Sequence, residues 1–170
     1  GAQFDIDTLI EAARMLELQK IAVKFIICGS GDKFNEYRES AMNLSSVLFP
    51  GWIGAADISG LMRIADVGLA PYFNNAGFDK SIPNKTIEYL SAGLPVISSL
   101  KGYFKGLLEK TGCGESYDQN DPLSLSRILI ELSKDKPRLK SMSLNAQSFF
   151  DKQFKAEIVY GSMIDYLEEI

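Results

Sequence analysis

Short apolar runs alternate with stretches of helical periodicity through the first two thirds of the chain, and this alternation constrains the fold more than any other feature. Residues 23–28, 46–49, 67–70 and 95–98 read as strands, each bounded by Gly, Pro or polar residues. Residues 7–18, 33–43, 58–64 and 84–92 carry the helical pattern between them. Strand, helix, strand in strict order implies right-handed βαβ units and a parallel sheet covered on both faces. The expected fold is therefore a Rossmann-like three-layer α/β domain. A helix over 103–110 and a short strand over 115–117 extend the pattern, and from Asp121 the texture becomes purely helical. Asp121-Pro122 is a good N-cap and N1 pair ahead of a stripe of Leu125, Ile128, Leu129 and Leu132. Pro137 opens a further helix, and residues 154–167 form the last. The chain opens on a helix, so the first strand of a doubly wound sheet is expected to be missing from it.

The 170 residues suffice for one α/β domain, taken as 1–170, and contain no repeat, low-complexity tract or linker that marks a second. No apolar run approaches the roughly 20 residues that span a bilayer, and no signal-peptide pattern opens the chain. A formal charge of −4 and a pI near 4.9 disfavour nucleic acid as a partner. There is no His, which excludes Ser-His-Asp and Cys-His machinery within the chain. Cys28 and Cys113 form no CxxC pair, so no zinc site is expected; both read as buried free thiols of a reducing cytoplasm. Neither metal nor cofactor is expected.

Ligands of open parallel sheets bind at the carboxyl ends of the strands. Three loops fall there. Gly29-Ser30-Gly31 follows the first strand and reads equally as a close approach for a ligand or as a tight βα turn. Trp52 and Ile53 follow the second, between Gly51 and Gly54; the indole reads either as a wall for a nucleobase or as a Trp half-buried over a loop. The third loop, residues 72–83, is about a dozen residues long, a length that marks function or disorder in compact domains. It leads to Asn84, a natural N-cap. The N–H groups and side chains of Lys85 and Thr86 behind it then outline a diphosphate site. Glu88, one turn on, either holds the two hydroxyls of a ribose or pairs with Lys85 at i, i+3.

Several of these segments resemble the C-terminal domain of the family 4 (group 1) glycosyltransferases of the GT-B fold. Residues 65–71 are similar to that family's "AD-x-x-x-x-P" strand, and residues 88–97 to its "EAMAxGxPVI" helix and strand. Residues 25–32 resemble "LvivGdGp", 49–53 "fxGxv", and 121–132 a late "D-x-x-x-L-x-x-x-I-x-x-L" helix. The resemblance implies a donor-binding domain for a UDP- or GDP-linked sugar, part of a cytoplasmic, retaining transferase for polysaccharide or glycolipid. An acceptor domain absent from this chain would bring any contact with the membrane's inner face. By resemblance Glu88 holds the ribose, Trp52 and Ile53 meet the base, and Asn84, Lys85 and Thr86 underlie the phosphates. Ser81 to Glu88 matches a Ser-x-Pro-x-Lys-x-x-Glu variant of the motif. Lys80 departs from the pattern, standing where the family has the glutamate that meets the donor sugar, and no basic residue precedes Glu11 to match the family's phosphate-neutralising pair. The catalytic residues are left unassigned. A sugar-nucleotide epimerase and a non-catalytic nucleotide-binding module are the rival readings.

Overall fold

The computed structural model describes residues 3–75, 77–78 and 80–168. Its elements, in order, are α1 (Ile6–Leu18), β1 (Phe25–Cys28), α2 (Phe34–Ser40), β2 (Val47–Gly51), α3 (Ala55–Ile64), β3 (Gly68–Ala70) and α4 (Asn84–Ser91). There follow β4 (Val96–Ser98), α5 (Gly102–Thr111), β5 (Gly114–Ser116), α6 (Pro122–Lys134), α7 (Lys136–Gln153) and α8 (Ala156–Glu168). Each expected strand and helix is present. Every strand pair is parallel, as the βαβ reading requires.

The strands form two groups. Among the described residues β1 pairs only with β2, while β4 lies between β3 and β5. The doubly wound order 3-2-1-4-5-6 follows if one parallel strand is placed between β1 and β3. Beyond β3 the chain is bridged antiparallel to the start of the protein: Asp5 N–H donates to Pro71 O (2.7 Å) and Phe73 N–H to Gln3 O (2.9 Å).

Two apolar cores cover the two faces. One gathers Leu9, Ile10, Ala13 and Leu16 of α1 with Phe25, Val47, Ile97 and the α6 residues Leu125, Leu129 and Leu132. The other gathers Leu90 of α4, Phe104 and Leu108 of α5, and Ala146 of α7 against Ala70 and Val96. Val96 and Ile97, neighbours in β4, face opposite cores and are both fully buried. β3 begins with glycine for a steric reason: a Cβ at Gly68 would run into the ring of Tyr89. That contact lets α4 lie close on the sheet, with the Tyr89 hydroxyl donating to Leu69 O at 3.4 Å.

Two anchors lie away from the cores. Asp5 is the N-cap of α1; its buried carboxylate accepts from Thr8 N–H (3.1 Å), Thr8 Oγ1 (2.6 Å) and Asn120 N–H (3.2 Å). It thereby ties the start of α1 to the segment leading into α6. At the other end of α1, Glu17 accepts from the Ser45 and Ser46 N–H groups (3.2 and 3.1 Å) and from both hydroxyls (3.0 and 2.5 Å).

The Ser46 hydroxyl, seconded by the Ser45 and Ser46 donors against a smaller cost of burial, holds the Glu17 carboxyl down at about 2. Its contribution to stability is therefore complete above the unfolded value near 4.5 and is lost as pH falls from there toward about 2. Glu17→Gln should melt below the parent protein at pH 6, and the gap between them should narrow at pH 2.5. Melting curves of both proteins across that range check it, and a gap independent of pH would contradict the assignment.

Candidate functional site

The loops singled out in the sequence meet at the carboxyl edge of the strands. β1 ends at Cys28. Gly29 follows with φ of 146°, and its N–H donates to the carbonyl of Gly51 (2.8 Å), itself at φ of 83°. The first two loops are therefore tied together through backbone that only glycine adopts without strain. The Gly31 carbonyl accepts from Phe34 N–H (2.9 Å), which closes the turn into α2. Trp52 projects from the end of β2 with 76% of its surface exposed. It does not lie half-buried over the loop. Ile53 beside it is partly buried.

The start of α4 differs from expectation by one residue, and chemistry changes with it. The N-cap is Pro83, extended at φ −64° and ψ 138°, and Asn84 is the first helical residue. The Pro83 carbonyl accepts from Thr86 N–H (2.9 Å) and from Thr86 Oγ1 (2.7 Å). Thr86 is fully buried, so its hydroxyl closes the first turn and is not offered to solvent. The donors that remain at the open end are the N–H groups of Asn84 and Lys85, on a helix end that favours anions.

Lys85 is exposed, and its ammonium lies 5.9 Å from the centroid of the Phe4 ring. Phe4 in turn packs on Tyr72 (4.8 Å between centroids), and Tyr72 on Phe78 (4.9 Å). Among the described residues no ion pair joins Lys85 to Glu88, which is exposed one turn further on. Electrostatics place the rest. Partial desolvation by its neighbours pushes the Cys28 thiol up although the residue reaches the surface, and the Lys85 charge opposes it. Burial raises Tyr72 and Tyr89, and the Glu88 carboxylate adds to both. Cys28, Lys85, Tyr72, Tyr89 and Glu88 thus share one neighbourhood, where the β1 and β3 groups face each other.

The expectation of two buried thiols holds for Cys113 alone. Cys28 is exposed, because alternation along β1 turns it away from the core that takes Phe25 and Ile27. Ser81 donates from its hydroxyl to Gly77 O (2.9 Å), folding the long loop on itself, and Lys80 is exposed. Ala76 and Asp79 of that loop lie outside the described residues.

A polar clamp was not foreseen. Asn74 Nδ2 donates to Ser99 O (2.8 Å) and to Gln119 Oε1 (2.7 Å), its N–H to Gln119 Oε1 (2.7 Å), and its Oδ1 accepts from Lys101 N–H (2.8 Å). One side chain fixes the long loop to the carboxyl ends of β4 and β5. The Asn-Asn pair at 74–75 is a turn signal in the sequence, but its partner lies 45 residues away.

Two hollows among the described residues lie at the amino ends of the strands. One is lined by Glu17, Val23, Lys24 and Ser46 among others, the second by Arg63, Asp66, Gly93 and Lys140 among others. Neither holds a residue of the carboxyl edge. Among the described residues no group of three or more His, Cys, Asp or Glu side chains is placed to hold a metal, and no helix is long and apolar enough to cross a membrane.

Comparison with known proteins agrees with this architecture. The chain is 27% identical over 165 residues to the amylovoran biosynthesis glycosyltransferase AmsK of Erwinia amylovora, matching 95% of this chain and 40% of that protein. It is 26% identical over 166 residues to the putative colanic acid biosynthesis glycosyltransferase WcaL of Salmonella typhimurium, covering 95% and 41%. The chain therefore spans about two fifths of the length of these curated relatives. Its fold matches that of WaaG, a glycosyltransferase involved in lipopolysaccharide biosynthesis, with a TM-score of 0.74 at 22% identity over 94% of this chain and 42% of that one. It also matches Staphylococcus aureus TarM, crystallised with UDP among other ligands, with a TM-score of 0.77 at 16% identity over 96% and 32%. Residues 3–149 match the family described as glycosyl transferases group 1, and the chain belongs to that family, with the α/β fold of the GT-B glycosyltransferases.

Proposed function

We propose that this chain is the donor-binding part of a cytoplasmic, retaining glycosyltransferase. On this reading it holds a UDP- or GDP-linked sugar for transfer to a polysaccharide or glycolipid. The observation that carries the reading is an exposed lysine, two helix N–H groups and an exposed carboxylate without an ion-pair partner among the described residues at the start of α4, with an exposed indole at the end of β2. Each suits a different part of one nucleotide. Lys85 and the Asn84 and Lys85 N–H groups match a diphosphate in charge and donor count. Glu88 suits vicinal ribose hydroxyls, because a carboxylate accepts on both oxygens. Trp52 offers a flat apolar face to a base, with Ile53 beside it. Gly29 and Gly31 carry no side chain to keep a ligand off their backbone, and Ser81 closes the long loop on the sugar side. Thr86 supports the phosphate site from within, by fixing the first turn of α4.

In transfer, the bond between the anomeric carbon and the diphosphate oxygen breaks. The nucleoside diphosphate leaves with the electron pair, and the acceptor oxygen takes its place. The task of this edge is to stabilise charge building on the leaving phosphate. Lys85 and one helix end supply that locally, with no metal in the proposal. The relatives named for amylovoran and colanic acid biosynthesis support a surface polysaccharide as the class of product. The acceptor would be held by the part of the polypeptide that this chain does not include.

UDP or GDP should raise the melting temperature equally with and without EDTA, and binding abolished by EDTA would sink the metal-free reading. Glu88→Ala should weaken nucleotide binding by about 1.5–3 kcal/mol, the worth of hydrogen bonds to a charged group, while leaving the fold intact. Titration calorimetry checks this, and unchanged affinity would remove Glu88 from the ribose. Iodoacetamide should label Cys28 and spare buried Cys113, and saturating nucleotide should slow the Cys28 reaction severalfold. Mass spectrometry of the labelled peptides reads it out. The 170-residue chain by itself should release nucleotide from UDP- and GDP-sugars far more slowly than the longer polypeptide, since orientation of the acceptor supplies effective molarities of roughly 10⁵–10⁸ M. Robust transfer by this chain alone would overturn its assignment as the donor half.

A further inference from the structure

Arg63 lies in the last turn of α3, and Lys136 and Lys140 lie one turn apart at the start of α7. All three line one hollow at the amino ends of the strands, a space of about 380 Å³. The end of α4 lines it too. There Gly93 turns the chain at φ of 68°, and its carbonyl accepts from Ser143 Oγ of α7 (2.7 Å). The N–H groups of Gly93 and Leu94 donate to Leu90 O and Tyr89 O (3.0 and 2.9 Å). With those protons spent, the main donors of the hollow are its cationic side chains. Their charges are poorly matched. Arg138, between the two lysines, is turned to Glu115 and Glu131 (2.6 and 3.2 Å). Among the described residues Arg63 and Lys140 have no ion-pair partner. Lys136 reaches Asp66 only at 3.7 Å, with the side chains 69 and 72% exposed, and a pair so long and so wet holds weakly. Three cations against one carboxylate leave a positive hollow in a chain whose net charge is −4.

We infer that this hollow binds a phosphate dianion, presented by a small soluble phosphoester or by the headgroup of an anionic lipid. A phosphate group near neutral pH carries about two negative charges on three acceptor oxygens, which answers the surplus of cations in both charge and donor number. The Arg63 guanidinium can hold two of those oxygens as a fork, and each ammonium serves as a point charge. A lone carboxylate would leave part of the positive charge unanswered. Small-ligand sites run from roughly 300 to 1,000 Å³, so the hollow also has room for the group that the phosphate is attached to. The acidity of the whole chain does not forbid an anion here, because charges beyond a Debye length of about 8 Å are largely screened at physiological salt. Ile64, next to Arg63, and Leu144, one turn beyond Lys140, are 77 and 63% exposed, which suits the apolar zone beneath a lipid headgroup. No residue of the carboxyl edge takes part, so the site is independent of the donor reading.

Amide NMR shifts of the isotope-labelled chain test this. Inorganic phosphate and glycerophosphate, added at constant ionic strength, should move the amides of Arg63, Gly93, Leu94 and Lys140 along saturable curves, while chloride should not. Vesicles of phosphatidylglycerol, with phosphatidylcholine as the control, form the second arm. Saturation by the soluble phosphates without a response to vesicles assigns a soluble phosphoester; broadening of the same amides on phosphatidylglycerol alone assigns a lipid headgroup. The double variant Arg63→Gln with Lys140→Gln alters exposed side chains only, so it should melt with the parent protein and bind phosphate at least about tenfold more weakly. If the double variant melts lower, Lys140→Glu alone should produce the same loss of binding. Four results would overturn the site: no saturable shift with phosphates or vesicles, equal shifts with chloride, parental affinity in the charge variants, or shifts confined to Asn84 and Lys85. The last would put the anion at the start of α4 and leave the donor reading standing.

Discussion

β4 is the strand on which both cores depend. Val96 and Ile97 point into opposite faces without any solvent exposure, and the strand is hydrogen-bonded to β3 on one side and β5 on the other. Fully burying an aliphatic side chain is worth about 1.5–3 kcal/mol, so two adjacent residues couple the α1/α6 layer to the α4/α5/α7 layer through three residues of backbone. The carboxyl edge inherits its geometry from this strand. Ser98 and Ser99, at its end, are buried and bonded to Ala70 and Tyr72, which sets the height at which the long loop leaves β3.

From that fixed edge the loop is held by polar contacts of a different kind. Asn74 satisfies Lys101 N–H, Ser99 O and Gln119 Oε1 together, so the segment before it is anchored although it has no regular structure. Further along, the Ser81 hydroxyl turns back to Gly77 O, and Phe78 and Ile82 pack against the second core. At Pro83 the backbone is fixed again, where the Thr86 hydroxyl closes the helix start.

Elements whose signals are local were legible in the sequence. The strand ending at Ala70 and the helix over α4 follow from alternation and a 3.6-residue period. Asp121-Pro122 marked the start of α6, and Asp121 Oδ1 accepts from Leu123 and Ser124 N–H as a cap should. That the loops after β1 and β2 adjoin was legible, because loops leaving the carboxyl ends of neighbouring parallel strands lie side by side whatever their side chains. The details of the site were less so. Asn84 reads as a cap from its type, yet Pro83 already has the extended backbone a cap needs, which moves the helix start by one residue and turns Thr86 inward. The pairing of Asn74 with Gln119, and of Asp5 with Asn120, joins residues 45 and 115 positions apart. No local pattern encodes such partners. Cys28 was misplaced because an apolar run does not say which of its residues face outward when the strand is only half covered.

The division of the sheet has a consequence for how this domain behaves as a material. Among the described residues β1 and β3 each keep one side of their backbone without a strand partner. Exposed strand edges template pairing with other chains, and native proteins shield them with charge, proline or a covering segment. Here the residues of β1 are Phe25, Ile26, Ile27 and Cys28, and those of β3 are Gly68, Leu69 and Ala70, with no charge among them. Each of these edges is therefore uncharged and largely apolar, the kind of backbone with which an extended apolar segment pairs most readily.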